Sequence, residues 1–346
     1  MTRFVRLGLA ALAGAWLGLA PAAHAAETPV RIGQATPALS FLPLFAARAL
    51  DTFARQELKL TWASMSGGDP AALAALDAGD IDLAAVGSES VLNAAAKGQP
   101  FTIVYSLMSK VSLELVVSNS FLQRAGVGPG DPLDKRLKSL KGALIGVSAV
   151  GGAQETAARW LASKGGLDPK KDVKIAKIGA PPALQAAVEN KQIDGFVLSP
   201  PAGYLVDAAS AGKVLVRLGD DFPSLQNLPF LVLVAKQPID DARRQLIERT
   251  VRALQSASDA LLNDSAETAA AIHKAYFAKA NRESIASAVG ALKSGVAGGG
   301  RIDPAGLENL AAFTRELGGG GATAFDVKAT ENKVWTNFYV EAARKK

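Results

Sequence analysis

The sequence predicts an α/β fold built from two similar lobes. Strand-like apolar runs alternate with helical ones, one helix–turn–strand phrase occurs twice, and polar loops follow the strands. The phrase spans residues 72–90 and again residues 183–200, each time with a helical stretch, a polar turn containing Ile-Asp, and an apolar strand. Two separated copies of one phrase predict two lobes that face each other.

In the first half of the chain, strands and helices alternate. Asp69 and Pro70 suit the beginning of a helix, and Gly79 is typical of its end. The predicted strands are residues 30–33, 58–62, 83–86 and 101–107, and the other predicted helices are residues 41–53 and 90–97. Because parallel strands deliver their carboxyl ends to one sheet edge, loops 36–40, 64–68 and 87–90 should meet there.

The second half repeats this alternation and then becomes helical. Residues 148–156 form a Ser/Gly-rich turn between a strand and a helix, which would present free backbone N–H groups and a positive helix end to a ligand. The predicted strands are residues 113–118, 144–147, 173–178, 194–198, 214–218 and 228–235, and the main predicted helices are residues 156–164, 202–211, 239–264, 304–317 and 333–343.

The domain division follows from this order of elements. The chain should cross between lobes near residues 109–112, and the strand at residues 228–235 should return it. The helices that follow contain no strands, so we expect them to complete the first lobe. The predicted lobes are residues 27–109 with 230–346, and residues 110–229; residues 126–134 and 318–321 are predicted loops.

Residues 1–25 read as a cleavable signal peptide. Arg3 and Arg6 precede an apolar run at residues 7–20, and Ala23-His24-Ala25 fits the small-x-small cleavage rule. An N-terminal membrane anchor is the alternative. The chain has no Cys, so lipid attachment at a cysteine and disulfides are both excluded. We therefore predict a periplasmic protein, cleaved near Ala25.

Composition excludes several classes of function. The net charge is +6, but the sequence has no basic stripe with interleaved aromatic residues, so nucleic acid is not an expected partner. Only His273 remains after the leader, and there is no P-loop or G-x-S-x-G motif. We predict no catalytic residue, no metal site and no cofactor.

Three longer segments resemble a known family. The phrases LAALDAGDIDLAAVGSESVLNAAAKGQPFTIVYSL, IGVSAVGGAQETAARWLASKGGLDPKKDVKI and QIDGFVLSPPAGYLVDAASAGKVLVRLGD are similar to periplasmic substrate-binding proteins of nitrate, sulfonate and taurine ABC transporters, a group that includes SsuA-like and NMT1-like proteins. The resemblance implies a type II periplasmic binding protein fold, with two lobes joined by two crossing strands. It also implies a monomer that closes on a small ligand and docks on an inner-membrane permease. A pyrimidine-precursor enzyme or a ligand-sensing module on the same fold are the alternatives.

The resemblance also implies where a ligand would bind. The residues lie in loops after strands of both lobes: Thr36, Ser40, Met65, Ser66, Gly67, Gly68, Ser88, Glu89, Ser148, Gly151, Gly152, Gln154, Glu155 and Ser199. These loops hold no Lys or Arg, so we expect hydroxyls and backbone N–H groups to bind a small organic anion or zwitterion. Glu89 and Glu155 either pair with an amino or amidine group of the ligand or stabilise their own helices.

Overall fold

The computed structural model describes residues 27–65, 67–148, 150–151, 153–296, 298–317 and 325–345. The predicted signal peptide and the predicted loop at residues 318–321 lie outside these ranges. No helix in the described ranges combines the length and apolar character that a bilayer crossing requires.

Ten strands form two separate sheets within the described residues. In chain order they are β1 (Thr28–Gln34), β2 (Leu58–Ser64), β3 (Leu83–Gly87), β4 (Phe101–Met108), β5 (Glu114–Ser118), β6 (Leu144–Val147), β7 (Lys174–Lys177), β8 (Gly195–Leu198), β9 (Gly212–Arg217) and β10 (Leu231–Lys236). The first sheet has the order β2-β1-β3-β10-β4, and the second has the order β7-β6-β8-β5-β9. The predicted two-lobed α/β class is therefore confirmed.

The chain passes between the sheets twice. It leaves the first sheet after β4, enters the second at β5, and returns through β10. β10 lies antiparallel between β3 and β4, and β5 lies antiparallel between β8 and β9. Nearly every residue of β5 and β10 is buried and their central residues are apolar, as is typical of strands covered on two faces.

Helices cover both sheets. They are α1 (Leu42–Ala49), α2 (Gly68–Ala78), α3 (Ser88–Ala96), α4 (Asn119–Ala125), α5 (Leu133–Lys138), α6 (Ala153–Lys164), α7 (Pro181–Glu189), α8 (Ala202–Ala208), α9 (Leu218–Asp221), α10 (Asp241–Asn263), α11 (Ser265–Tyr276), α12 (Arg282–Lys293), α13 (Pro304–Glu316) and α14 (Phe338–Arg344).

Some predicted helix limits were wrong. The helix expected over residues 41–53 ends at Ala49, because Asp51 has the left-handed φ of 57° that a right-handed helix does not accept. α4 was not predicted; the Ser118 hydroxyl caps it by accepting the Phe121 N–H at 3.1 Å. The last helix begins at Phe338, not at residue 333.

Trp335 accounts for that late start. Its segment bridges to Ile103 on β4, and its indole N–H donates to the carbonyl of Val327 at 3.0 Å. The C-terminal segment is therefore anchored on the first sheet before its helix begins. α13, by contrast, lies beside α6 of the second lobe: the Phe313 and Trp160 rings meet edge to face at 5.5 Å between centroids. This places α13 along the boundary between the lobes.

Candidate functional site

A cavity of about 600 Å³ lies between the two sheets, and loops from both lobes line it. The volume suits a small organic molecule. Seven of the predicted ligand-binding residues lie in its lining: Thr36, Ser40, Ser88, Glu89, Ser148, Gln154 and Ser199. Residues of loops 36–40, 87–90 and 148–156 and Ser199 therefore border one space, whereas no described residue of loop 64–68 lies in its lining.

Other predicted residues lie outside this lining. Met65 packs against a cluster of buried apolar residues, and Gly67 and Gly68 form the start of α2. Gly151 and Glu155 border a separate surface depression near Arg159. The remaining two, Ser66 and Gly152, fall outside the described residues.

Glu155 is engaged within its own helix. Its Oε1 pairs with Arg159 at 2.7 Å, and its Oε2 accepts the backbone N–H of Gly151 at 2.8 Å. The Gly151 N–H, followed by Arg159, lowers the pKa of Glu155. These contacts match the helix-stabilising alternative rather than a ligand contact.

Asp69 is a site residue that the sequence analysis did not identify as one. It lines the cavity from the first turn of α2, and its Oδ2 accepts the Gly87 N–H at 3.1 Å and the Ser90 hydroxyl at 2.7 Å. The carboxylate thus joins the loops after β2 and β3. A signal was present: Asp69 directly follows the loop at residues 64–68, which was expected to meet residues 87–90.

Apolar side chains form much of the remaining wall, and three of them are phenylalanines. Phe41 and Phe230 line the cavity beside the first lobe, and Phe313 and Thr314 line it from α13. Gln185 of α7 contributes from the second lobe. Nothing in the sequence near the α13 residues predicted that they line the cavity. The path of the chain through α10, α11 and α12 brings them there.

Four of the backbone N–H groups expected to bind an anion are already hydrogen-bonded within the protein. Ser88 N–H and the Ser88 hydroxyl both donate to the carbonyl of Phe230, at 3.1 and 3.2 Å. Ser148 N–H donates to Gln154 Oε1 at 2.6 Å. The Gly87 and Gly151 N–H groups bind Asp69 and Glu155, as described above. The predicted arrangement of free donors is therefore not found at these positions.

The charge of the lining is negative. Asp69 and Glu89 are the charged side chains among the described lining residues, which include no Lys, Arg or His. Burial, followed by the nearby charge of Asp69, raises the pKa of Glu89. Burial also raises the pKa of Asp69, while the hydrogen bonds from Ser90 and Gly87 oppose that rise.

Buried polar contacts hold the lining loops in place. The fully buried Gln34 donates from Nε2 to the Thr36 carbonyl at 2.6 Å and accepts the Trp62 indole N–H at 2.9 Å. On the other side, the hydroxyls of Ser112 and Ser199 lie 3.0 Å apart. Ser112 belongs to the first crossing segment, so this bond ties the second lobe's loop to the connection between the lobes.

Comparisons with known proteins agree with this architecture. The model of the NMT1-like family matches residues 23–277. YtlA of Bacillus subtilis (strain 168) is 21% identical over 271 residues, which is 77% of each chain. Its name describes it as a binding protein.

Solved structures match over most of their length. One from Bordetella bronchiseptica RB50 is 25% identical, with a TM-score of 0.70 over 92% of this chain and 98% of that one. The ligand-binding component of an ABC-type import system from Staphylococcus aureus is 17% identical, with a TM-score of 0.69 over 92% and 100%. The fold is the two-lobed fold of periplasmic binding proteins.

Proposed function

The chain belongs to the NMT1-like family, and from this premise we propose that it is the extracytoplasmic solute-binding component of an ABC importer. It takes one small organic solute into the cavity between its lobes and delivers it to an inner-membrane permease. The predicted signal peptide supports a periplasmic location, and we propose that the protein acts there as a monomer and not as an enzyme.

The cavity carries this proposal. It is built from strand-exit loops of both lobes, so a bound solute would contact both at once. A ligand shifts an open–closed equilibrium only through its higher affinity for one of the two forms. A solute that bridges the lobes has that higher affinity for the closed form, because only there does it make both sets of contacts. The two crossing segments would serve as the hinge.

Related proteins support the transport role. The Staphylococcus aureus structure is described as the ligand-binding component of an import system, and the Bacillus subtilis relative carries a binding-protein name. The likeness covers all of the Staphylococcus aureus chain and 77% of the Bacillus subtilis relative. This similarity supports the same roles here: this protein binds the solute, and a membrane permease transports it.

The test is to identify the solute that the protein retains and to block its site. The mature protein is purified from its own host, denatured, and its released small molecules are identified by mass spectrometry. Gln185→Trp, which places an indole in the cavity, should abolish retention. Gln192→Trp lies on an exposed turn of the same lobe outside the lining and serves as the matched control.

Uptake completes the test. Cells that lack the gene should lose uptake of the retained solute and regain it with the wild type or Gln192→Trp, but not with Gln185→Trp. If the protein retains no solute, or converts it to a product, the proposal is wrong.

A further inference from the structure

We propose that the solute is an organic cation, held through an ammonium or amidinium group by Asp69 and Glu89. Its apolar body would lie against the apolar wall of the same cavity, which includes three phenylalanines. This inference rests on the proposed function and adds the chemical class of the solute.

The first argument is charge. Asp69 and Glu89 bring two negative charges to one part-buried space, and no Lys, Arg or His accompanies them in the described lining. Elsewhere the chain neutralises part-buried carboxylates with arginine: Asp82 pairs with Arg31, Asp221 with Arg136, and Glu155 with Arg159. Burial costs these two unpaired carboxylates part of their hydration energy. The attraction of a positively charged ligand would offset that cost.

The second argument concerns hydrogen bonds. Both described hydrogen bonds of Asp69 use Oδ2, and no described residue donates to Oδ1 or to the carboxylate of Glu89. Acceptor oxygens therefore remain for the N–H groups of a ligand. Three backbone N–H groups beside these carboxylates or in the facing loop are not free for an anion, since those of Gly87, Ser88 and Ser148 bond to Asp69, Phe230 and Gln154. The part of the cavity around Asp69 and Glu89 thus offers free acceptor oxygens, which suit the N–H groups of a cation.

The third argument is shape. A cavity of about 600 Å³ is far larger than an inorganic ion and suits a molecule with a ring or a branched body. Phe41, Phe230 and Phe313 line it. Aromatic faces attract organic cations as well as apolar groups, so the wall and the carboxylates favour one ligand class. An amidinium or ammonium group on an apolar body satisfies both parts of the lining.

The experiment uses probes of one shape and different charge. Isothermal titration calorimetry compares benzamidine, which is a cation, with neutral benzamide and with the anions benzoate and benzenesulfonate. We expect benzamidine to bind at least tenfold more tightly than either anion. Glu89→Gln and Asp69→Asn should each weaken benzamidine at least fivefold and leave benzamide unchanged. Glu308→Gln, which removes an exposed carboxylate on α13 outside the lining, should have no effect.

Two results would overturn the inference. One is that benzamidine fails to bind or binds no better than benzoate; the other is that the solute retained by the purified protein is an anion. Neither result affects the proposed function, which depends on retention and uptake of a solute of any charge. Conversely, a protein that binds benzamidine but supports no uptake would refute the transport role alone.

Discussion

The indole N–H of Trp160 donates to Oε2 of Glu316 at 2.9 Å, which ties α6 of the second lobe to α13. Lys164 reaches the same oxygen at 2.9 Å, and these two contacts lower the pKa of Glu316. One turn earlier on α13, Phe313 packs against the Trp160 ring and also lines the cavity. The contact between α6 and α13 therefore connects the spacing of the lobes to the wall of the binding site.

Trp160→Phe tests whether this contact holds the lobes together. Phenylalanine keeps much of the ring packing but loses the hydrogen bond to Glu316, which is worth about 1 kcal/mol because that carboxylate is half exposed. We expect a larger radius of gyration in small-angle X-ray scattering of the ligand-free protein and roughly fivefold weaker binding of the retained solute.

Trp335→Phe is the matched control for that variant. Trp335 also donates its indole N–H to one acceptor, the Val327 carbonyl, but does so beside the first sheet alone. It should lower the melting temperature and leave the scattering radius and the affinity unchanged. If both variants change the radius equally, the Trp160 contact has no special part in the arrangement of the lobes.

Gln34→Met tests the buried support beneath the Thr36 loop. Methionine has a similar volume but neither donates to the Thr36 carbonyl nor accepts the Trp62 N–H. Breaking both bonds at a fully buried position should lower the free energy of unfolding by about 1–3 kcal/mol in urea titrations, and weaken solute binding. Gln192→Met, on an exposed turn, should change neither quantity. Unaltered binding in Gln34→Met would show that the loop needs no such support.

Local sequence patterns determined the fold more clearly than the site. Gly79 has a φ of 80° at the end of α2, as expected of a glycine that ends a helix, and the apolar run after it forms β3. These patterns involve residues close together in the chain. At that range, backbone preferences and the spacing of apolar residues decide where a helix or strand begins and ends. The positions of the strand exits then follow from parallel pairing alone.

The site depended on contacts that local patterns do not contain. The turn at residues 148–156 was expected to present free N–H groups. Instead, the side chains of Gln154 and Glu155 accept hydrogen bonds from the N–H groups of Ser148 and Gly151. A polar residue near a helix start is equally compatible with capping and with ligand contact. Phe313 lies at the cavity through packing with Trp160, which is distant in the sequence. The residues next to Phe313 in the chain therefore do not predict its place in the site.

The affinity for benzamidine should depend on pH through Glu89. Burial and the charge of Asp69 raise its pKa above the usual 4.5, so Glu89 gains a proton at a higher pH than an exposed glutamate does. The cation needs the ionised form, so its affinity should fall as the pH is lowered through this range. Glu89→Gln should reduce the dependence, and Asp69, whose pKa burial also raises, accounts for the part that remains. Calorimetry across a pH series, with circular dichroism to verify folding and benzamide as the uncharged control, measures this. A wild-type affinity that stays constant would place Glu89 away from the bound cation.

Glu114 should make the protein less stable as the pH rises toward neutrality. It begins β5 directly after the first crossing, it is only 3% exposed, and its Oε2 has no hydrogen-bond partner among the described residues. Burial raises its pKa to about 7; Asp220 adds to the rise, whereas Arg217, Tyr204 and Lys110 oppose it. The folded protein therefore holds a proton that the unfolded chain, with a glutamate pKa near 4.5, releases.

The sign and size of the effect follow from that difference. Between pH 4.5 and about 7 the folded state binds more protons than the unfolded state, so the free energy of unfolding should fall by up to about 3 kcal/mol as the pH rises. Glu114→Gln cannot ionise and should show a flatter dependence in urea titrations at a series of pH values. Glu308→Gln, at an exposed position, should follow the wild type. If Glu114→Gln loses stability with pH as steeply as the wild type does, the carboxyl stays ionised in the folded protein, and Arg217 and Lys110 must outweigh its burial.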